Sequence, residues 1–170
     1  RTATDRDSQV AGKQAPALMA DALSRGDFRT PLVVGDRLDT DIAGANAAQL
    51  PSLMVLCGVN TAADAIWAAP QERPDYIGED LRALTADAGA LRVAPHPGWR
   101  VDLEEGVVTV RSTGDDPGDA LAVVRAIAAA VWAEDDDRRS SIIRAGDDDA
   151  RQAVERWSLV AAAGGEGALA

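Results

Sequence analysis

Apolar runs and helically spaced apolar residues alternate along the first half of the chain. The three predicted strands are the short apolar runs at residues 31–35, 53–56 and 76–77. The predicted helices cover residues 15–23, 41–49 and 61–69. The third helix is capped by Asn60 or Thr61 and ends before Pro70, which cannot continue a helix. Strands that alternate with helices in this way predict an α/β fold of parallel βαβ units with right-handed crossovers.

The pattern changes after residue 93, where a linker and a hairpin are predicted. Residues 94–98 contain two prolines and a glycine, which disfavour any regular element. Apolar Trp99, Val101 and Leu103 then alternate with charged residues, which predicts a half-buried strand. A turn at residues 104–106 leads into a second strand, so we expect a β-hairpin.

Two helices are predicted after the hairpin. The first opens at Asp116-Pro117 and carries its apolar side chains on one stripe. That stripe consists of Leu121, Val124, Ala128, Val131 and Trp132. The second helix is capped by residues 147–149, and its apolar residues are Val154, Trp157 and Val160. Trp132 and Trp157 are interpreted as core of this second unit, and residues 164–170 as a frayed tail.

Charge and cysteine content exclude several classes of protein. The net charge is −11 and the sequence pI is about 4.4. Nucleic acids and anionic membranes bind basic surfaces, so neither is an expected partner. The sequence contains neither a signal peptide nor an apolar run near the roughly 20 residues of a membrane span. The lone Cys57 excludes an internal disulfide and is interpreted as a buried thiol at a strand end. We therefore expect a cytoplasmic protein, and the abundance of alanine, arginine and aspartate is typical of a bacterial source.

Three carboxylates follow directly on the first predicted strand. Asp36, Asp39 and Asp41 lie within six residues, immediately after Gly35. Open α/β sheets bind their ligands at the carboxyl ends of the strands. Clustered carboxylates repel one another unless a cation lies among them, and hard oxygen ligands with room for water and phosphate suit Mg²⁺. The sequence therefore predicts a magnesium site that includes Asp36.

The chain has 16 arginines but a single lysine, Lys13. A lysine ammonium is a compact point charge, which suits one-sided contact with a metal-bound phosphate better than the planar arginine fork does. A surface lysine without a function explains the composition equally well. Composition alone leaves both interpretations open.

Other polar clusters have simpler explanations than a site. His96 lies between two prolines and is interpreted as an exposed linker residue. The acidic runs at residues 134–137 and 147–149 are interpreted as solvated loops and helix N-termini.

Four motifs occur in a characteristic order between residues 10 and 84. They are Gly12-Lys13 before a helix, G-D-R-L-D-T-D-I at residues 35–42, the strand and Gly-Val-Asn-Thr turn at residues 52–61, and R-P-D-Y-I at residues 73–77 followed by Asp80-Leu81. This order resembles the class II cap members of the haloacid-dehalogenase (HAD) superfamily of phosphatases, among them nitrophenylphosphatases and the phosphoglycolate and glycerol-3-phosphate phosphatases. The resemblance implies a Rossmann-like core of parallel strands with flanking helices.

The resemblance also implies what residues 1–170 lack. The nucleophile of that family is the first aspartate of D-x-D-G-T after an apolar strand. Asp5 and Asp7 imitate the spacing, but polar residues precede them and no glycine follows. The second motif, a strand that ends in serine or threonine, is missing as well. We therefore expect the C-terminal part of a longer phosphatase, which is inactive when residues 1–170 are isolated.

Three side chains receive roles from the resemblance. Asp36 is expected to bind Mg²⁺, and Asp41 to orient a metal-bound water or the lysine. Lys13 is expected to neutralise the nucleophilic aspartate and the transferring phosphoryl oxygens. Gly35 is expected to let the backbone turn sharply beneath the metal. Gln49 stands near the position where a glycine is common, so the end of that helix must be capped differently.

These interpretations divide the chain into five parts. They are the end of a cap or linker (1–10), the C-terminal half of a HAD core (11–93), a linker (94–98), a small α+β (ββα) accessory domain (99–163) and a tail (164–170). The implied function is Mg²⁺-dependent hydrolysis of a small phosphate monoester of a sugar, glycerol or glycolate. The alternative is a non-catalytic half-core that binds a partner through its accessory domain. Expected partners are the phosphorylated metabolite, the missing N-terminal core and cap, and a second copy at the unpaired sheet edge.

Substitution of Lys13 tests its assigned role in the whole enzyme. Lys13→Ala should lower kcat more than it lowers Mg²⁺ affinity, because the ammonium acts on the phosphoryl oxygens. Lys13→Arg should not fully restore kcat, because a planar fork does not fit a point-charge site. Steady-state kinetics at saturating Mg²⁺ measures both effects, and near-normal turnover of Lys13→Arg would contradict the assignment.

Overall fold

The computed structural model describes residues 16–134 and 142–160. Lys13, the predicted segment 1–10, the tail at 164–170 and most of the acidic run at 134–137 lie outside the described residues. No helix in the described part of the chain is long and apolar enough to cross a membrane.

The first half contains a parallel three-stranded sheet in the order β1-β2-β3. Its strands are β1 (Val33–Gly35), β2 (Ser52–Val55) and β3 (Tyr76–Gly78). The α-helices of this half are α1 (Pro16–Leu23), α2 (Ala43–Ala47), α3 (Ala62–Ile66) and α4 (Ala88–Leu91), with short 3-10 turns at Pro70–Glu72 and Leu81–Thr85. Every residue of β2 is buried, as expected for the middle strand of a sheet covered on both faces. The predicted parallel βαβ arrangement is confirmed.

The helix predicted at residues 41–49 begins earlier than expected. A π-helical turn covers Leu38–Ile42, where the Ile42 N–H donates to the Arg37 carbonyl at 3.1 Å, and α2 continues from it. At the other end Gln49 takes φ 56°. The Leu50 N–H then donates to the Ala45 carbonyl at 2.9 Å, so a Schellman cap forms with glutamine where glycine is usual.

The second half contains the sheet β4-β5-β6. The hairpin strands are β4 (Trp99–Glu104) and β5 (Val107–Ser112), and both turn residues between them have positive φ, as the sequence pattern requires. The predicted hairpin is therefore confirmed. An unpredicted strand, β6 (Ile142–Ala145), pairs parallel to β5 after the helix α5 (Ala122–Ala133). This unit is therefore ββαβα rather than ββα, because its last helix α6 (Asp148–Glu155) follows β6.

Helix α5 differs from the prediction in both its start and its exposure. It begins at Ala122, because the chain turns at Gly118 (φ 71°) instead of continuing from Asp116-Pro117 as a helix. Residues 121–128 are all buried, so the apolar surface is not a single stripe. A helix that is buried on all sides must contact neighbours on all sides.

The neighbours of α5 come from both halves of the chain. One apolar cluster joins Ile77 of β3 and Ile66 of α3 to Val108 of β5 and Ile127 of α5. The indole Nε1–H of Trp132 donates to the Ile66 carbonyl at 2.9 Å. The interpretation of Trp132 as core of the second unit is therefore incomplete, because its indole also contacts α3 of the first half. The domain limits at residues 93 and 99 stay a prediction.

The last helix confirms its predicted cap but is shorter than expected. The Asp147 carboxylate accepts from the Ala150 N–H at 2.8 Å and from the Ser112 N–H at 2.9 Å. Helix α6 ends at Glu155, and Ser158 then takes φ 53°, so Trp157 and Val160 lie beyond the helix. The acidic run 147–149 is thus a helix N-terminus, as interpreted from the sequence.

β1 lies at the edge of the described parallel sheet, and all three of its residues are half-buried. Leu32, just before it, is 40% exposed, and Leu84 is 54% exposed on the same open groove of about 230 Å³. The groove and the edge together leave apolar surface uncovered in the described residues.

Shared packing around α5 predicts that both halves unfold together. Ile127→Ala should lower the free energy of unfolding by about 2–5 kcal/mol, because Ile127 is fully buried in the common cluster. Ile142→Ala is the matched control, since Ile142 is 57% exposed, and it should cost less than about 1 kcal/mol. Hydrogen exchange during denaturant titration should show amides of β2 and β5 losing protection together. Protection of β2 that survives the loss of β5 would contradict the common core.

Candidate functional site

The site loop begins where β1 ends at the carboxyl edge of the parallel sheet. Gly35 is the last residue of β1, and Asp36 is the first residue of the loop. A Cβ at Gly35 would lie 2.2 Å from the Cβ of Asp41, so only glycine leaves room for the Asp41 side chain. Gly35 is not among the glycines with positive φ, so its predicted role in a sharp backbone turn is not supported. Its function is to let Asp41 approach the strand end.

The loop between β2 and α3 holds the carboxylate of Asp36. The Val59 N–H donates to Asp36 Oδ2 at 3.1 Å. A Cβ at Gly58 would lie 1.8 Å from the same oxygen, so the carboxylate fills the space that glycine leaves. Asp36 is half-buried, and its direction is fixed by this backbone rather than by a neighbouring side chain.

Asn60 connects the two loops through its backbone and its side chain. Its N–H donates to the Asp36 carbonyl at 3.2 Å, and its Oδ1 accepts from the Leu38 N–H at 2.9 Å. Its Nδ2 donates to Asp64 Oδ2 at 3.3 Å. The side chain thus satisfies a donor at the start of the π-helical turn and fixes the course of the chain on both sides of Asp36.

A capping box anchors the second loop to α3. The Asp64 N–H donates to the Thr61 hydroxyl at 3.2 Å, and the Thr61 N–H donates to the Asp64 carboxylate at 2.8 Å. Partial burial acts to raise the pKa of Asp64, but hydrogen bonds from Thr61 and Asn60 outweigh it and hold that pKa below its usual value. The predicted cap by Asn60 or Thr61 is confirmed, with Thr61 as the N-cap.

Asp39 faces solvent rather than the strand end. Arg37 donates two hydrogen bonds to its carboxylate, at 3.1 and 2.9 Å. These bonds lower the pKa of Asp39 and raise that of Arg37. Both side chains are about half exposed, so the pair is a surface ion pair.

Asp36 lies directly after β1, Asp41 lies in the π-helical turn that follows, and Lys13 lies outside the described residues. Within residues 16–134 and 142–160, no group of three His, Cys, Asp or Glu side chains could hold a metal by itself. The Thr40 hydroxyl, between Asp39 and Asp41, is the buried side-chain oxygen of the described residues that has no hydrogen-bond partner. Asp36 and Asp41 are therefore too few to form a metal site by themselves within the described residues.

Two other sequence interpretations need correction. Cys57 is exposed rather than buried, because the chain leaves β2 at Val55 and turns outward before Gly58. His96 is half-buried and ordered, and its Nδ1 accepts from the Gly98 N–H at 3.2 Å. In the predicted linker 94–98, Gly98 is therefore buried and His96 half-buried, whereas Pro95 and Pro97 are exposed.

Sequence reasoning missed the positioning residues of the second loop. Gly58 and Val59 belong to the Gly-Val-Asn-Thr turn, which was noticed only as a motif, and Asn60 was considered only as a helix cap. Their contact with Asp36 spans 22 to 24 positions in the sequence, which no local pattern reveals. The parallel pairing of β1 with β2 was the available signal, since it brings both strand ends to one edge.

Comparison with known proteins agrees with this architecture. Residues 10–84 match the family described as HAD-hydrolase-like, and residues 96–159 match the GCN5-related N-acetyltransferase (GNAT) like domain. The chain is 58% identical over 168 residues to the D-glycerol 3-phosphate phosphatase of Mycobacterium tuberculosis, covering 94% of this chain and 48% of that protein.

Solved structures give the same result. The crystal structure of the glycerol phosphate phosphatase Rv1692 from Mycobacterium tuberculosis in complex with magnesium is 59% identical, with a TM-score of 0.83 over 91% of this chain and 46% of that chain. Its complex with calcium gives a TM-score of 0.84 over 95% and 48% of the respective chains. The chain spans about half the length of the relatives it matches. The matches thus identify a HAD-hydrolase-like segment at residues 10–84 followed by a GNAT-like segment at residues 96–159, which is consistent with the C-terminal part of a HAD phosphatase.

Proposed function

We propose that this chain supplies the metal-binding half of the active site of a Mg²⁺-dependent phosphatase that hydrolyses a small phosphate monoester, with glycerol 3-phosphate as the favoured substrate. The observation that carries the proposal is the Asp36 carboxylate, held at the carboxyl edge of a parallel sheet by the Val59 N–H and the gap at Gly58. The identity of 58% to a D-glycerol 3-phosphate phosphatase supports the substrate.

The donor set around Asp36 fits Mg²⁺. Carboxylate oxygens are the ligands this ion prefers, and it binds through one or two of them while it keeps waters and substrate oxygens. Arg37, the nearest cation in sequence, is engaged by Asp39, so the Asp36 carboxylate carries no ion pair with it. When bound, the ion would offset the negative charge of the phosphate. The remaining ligands come from residues outside the described part of the chain.

Asp41 and Lys13 are the other two residues that we propose this chain supplies to the active site. Asp41 is half-buried against Gly35, and we assign it the orientation of a metal-bound water or of the lysine. Lys13 would neutralise phosphoryl oxygens as a point charge. The Thr40 hydroxyl lacks a partner within the described residues, which is consistent with a loop whose remaining contacts lie in another segment.

The nucleophile of this reaction is not encoded in residues 1–170, where no D-x-D-G-T follows an apolar strand. Covalent catalysis without an acceptor for the phosphoryl group is impossible, so we expect no activity from this segment alone. We assign the nucleophile to the part of the protein that corresponds to the other half of the relative. The exposed edge of β1 is the natural place for its strand to pair, with a homodimer as the competing use of that edge.

The alternative function, a non-catalytic half-core that binds a partner through its accessory domain, has no specific observation in its favour. The cytoplasmic location stays a prediction.

Asp36→Asn in the whole protein tests the metal assignment. It should lower kcat/KM on glycerol 3-phosphate by more than about 100-fold, since even outer partners of a metal site are worth about 10- to 100-fold. It should also weaken Mg²⁺ binding measured by calorimetry. Asp39→Asn is the matched control, because Asp39 lies in the same loop but in an exposed ion pair, and it should change neither quantity. Equal effects of the two substitutions would refute the role of Asp36.

Gly58→Ala tests the second loop without touching a carboxylate. The added Cβ would overlap Asp36 Oδ2, so the carboxylate must rotate away and Mg²⁺ affinity should fall by about 10-fold or more. Gly26→Ala is the control, because its Cβ would lie 3.2 Å from an exposed Phe28 ring and far from the loop in sequence. Unchanged Mg²⁺ affinity in Gly58→Ala would mean that the backbone does not hold Asp36.

A further inference from the structure

The loop at residues 113–121 joins β5 to α5 in the GNAT-like unit. It leaves β5 at the end where that strand runs parallel to β6. Ligands of α/β units bind outside the carboxyl ends of parallel strands, and their phosphate groups lie on the N–H groups at the start of the following helix. An N-acetyltransferase takes its acetyl group from acetyl-CoA, an anionic cofactor that carries a diphosphate. If the unit bound acetyl-CoA, the diphosphate would therefore lie against this loop.

Two N–H groups of the loop are already bound by the chain's own carboxylates. The Leu121 N–H donates to Asp119 Oδ1 at 2.9 Å. The Gly118 N–H donates to Asp116 Oδ1 at 3.0 Å. The Asp119 carboxylate thus lies on the N–H of Leu121, the N-cap residue of α5, on the side from which a phosphate would approach this helix N-terminus. The Asp116 carboxylate closes the turn before it.

The charge beside the loop also opposes a diphosphate. An open cavity of about 590 Å³ borders it, and the charged side chains that line the cavity are Asp115, Asp119, Asp149 and Arg156. The lining therefore contains three carboxylates and one guanidinium, and that guanidinium lies over the Trp157 ring at 5.9 Å. Like charges at close range disfavour the binding of a phosphate group.

Asp119 has a second contact, to Arg125 of α5. Arg125 is only 3% exposed, and its Nη2–H group donates to Asp119 Oδ1. Its Nη1–H group donates to the Ile77 carbonyl of β3 at 2.8 Å. Burial lowers the pKa of Arg125, and Asp119 offsets part of that effect. Loss of Asp119 would leave a buried guanidinium without its counter-charge.

We propose that the GNAT-like domain binds no acyl-CoA, because Asp119 occupies the position of the cofactor phosphate at the N-terminus of α5 and, through Arg125, fastens the domain to the parallel sheet. In this proposal the loop at residues 113–121 connects the two units structurally, through Asp119 and Arg125, and does not bind a cofactor.

Direct titration of the unaltered protein tests whether the GNAT-like domain binds acyl-CoA. Acetyl-CoA and CoA, added in equilibrium dialysis up to about 1 mM, should show no saturable binding. Thermal denaturation of the same sample establishes that it is folded. Saturable one-to-one binding of either compound would overturn the proposal.

Paired substitutions test whether Asp119, through Arg125, connects the domain to the parallel sheet. Asp119→Asn should lower the Tm by about 5 °C or more, because it leaves Arg125 buried without a carboxylate. Asp115→Asn removes the same charge from the same loop and should shift the Tm by less than about 2 °C. In an Arg125→Met background, the effect of Asp119→Asn should shrink to that of Asp115→Asn. Equal Tm shifts for Asp119→Asn and Asp115→Asn would overturn the proposed role of Asp119. So would Tm shifts of Asp119→Asn and Arg125→Met that are fully additive.

Discussion

Helix α5 lies between the second sheet and the elements that cover the first, and its first two turns are buried on all sides. Polar bonds at both ends accompany this apolar contact. Near its start Arg125 donates to the Ile77 carbonyl, and near its end Trp132 donates to the Ile66 carbonyl while Arg73 donates to the Trp132 carbonyl at 3.3 Å. Three backbone carbonyls thus accept side-chain hydrogen bonds across the boundary between the two units. The parallel sheet therefore depends on a helix that belongs, by sequence, to another domain.

The candidate site depends on that sheet through backbone geometry. Asp36 and Asp41 each occupy a space that a glycine leaves open, and the second loop fixes Asp36 by one N–H group. Such a site tolerates little displacement between β1 and β2, because the carboxylate is held from the neighbouring strand. Packing that holds the ends of β1 and β2 in place therefore also holds the Asp36 carboxylate in place.

Sequence patterns predicted most of the elements because their signals are local. The hairpin turn at Glu105-Gly106, the Thr61 cap and the apolar β2 strand each depend on a few adjacent residues. The all-round burial of α5 was missed, although Arg125 is the single polar residue in 121–133, because the sequence analysis considered only one apolar stripe. Asp36 was identified from its position after a strand, whereas Gly58 and Asn60 were missed because their function is a contact across the sheet edge. The role of Asp119 was not predicted, because it depends on the hydrogen bonds of its carboxylate with the Leu121 N–H and with Arg125.

Cys57 is the single thiol within residues 1–170, and it is exposed immediately before Gly58. Any disulfide-linked dimer of this segment formed in air must therefore run through the loop that holds Asp36. A reducing agent distinguishes this disulfide-linked dimer from a non-covalent dimer formed through the β1 edge, because only the disulfide-linked dimer dissociates on reduction. A maleimide fluorophore at the same sulfur would report changes beside the carboxylate without background from other cysteines of the segment.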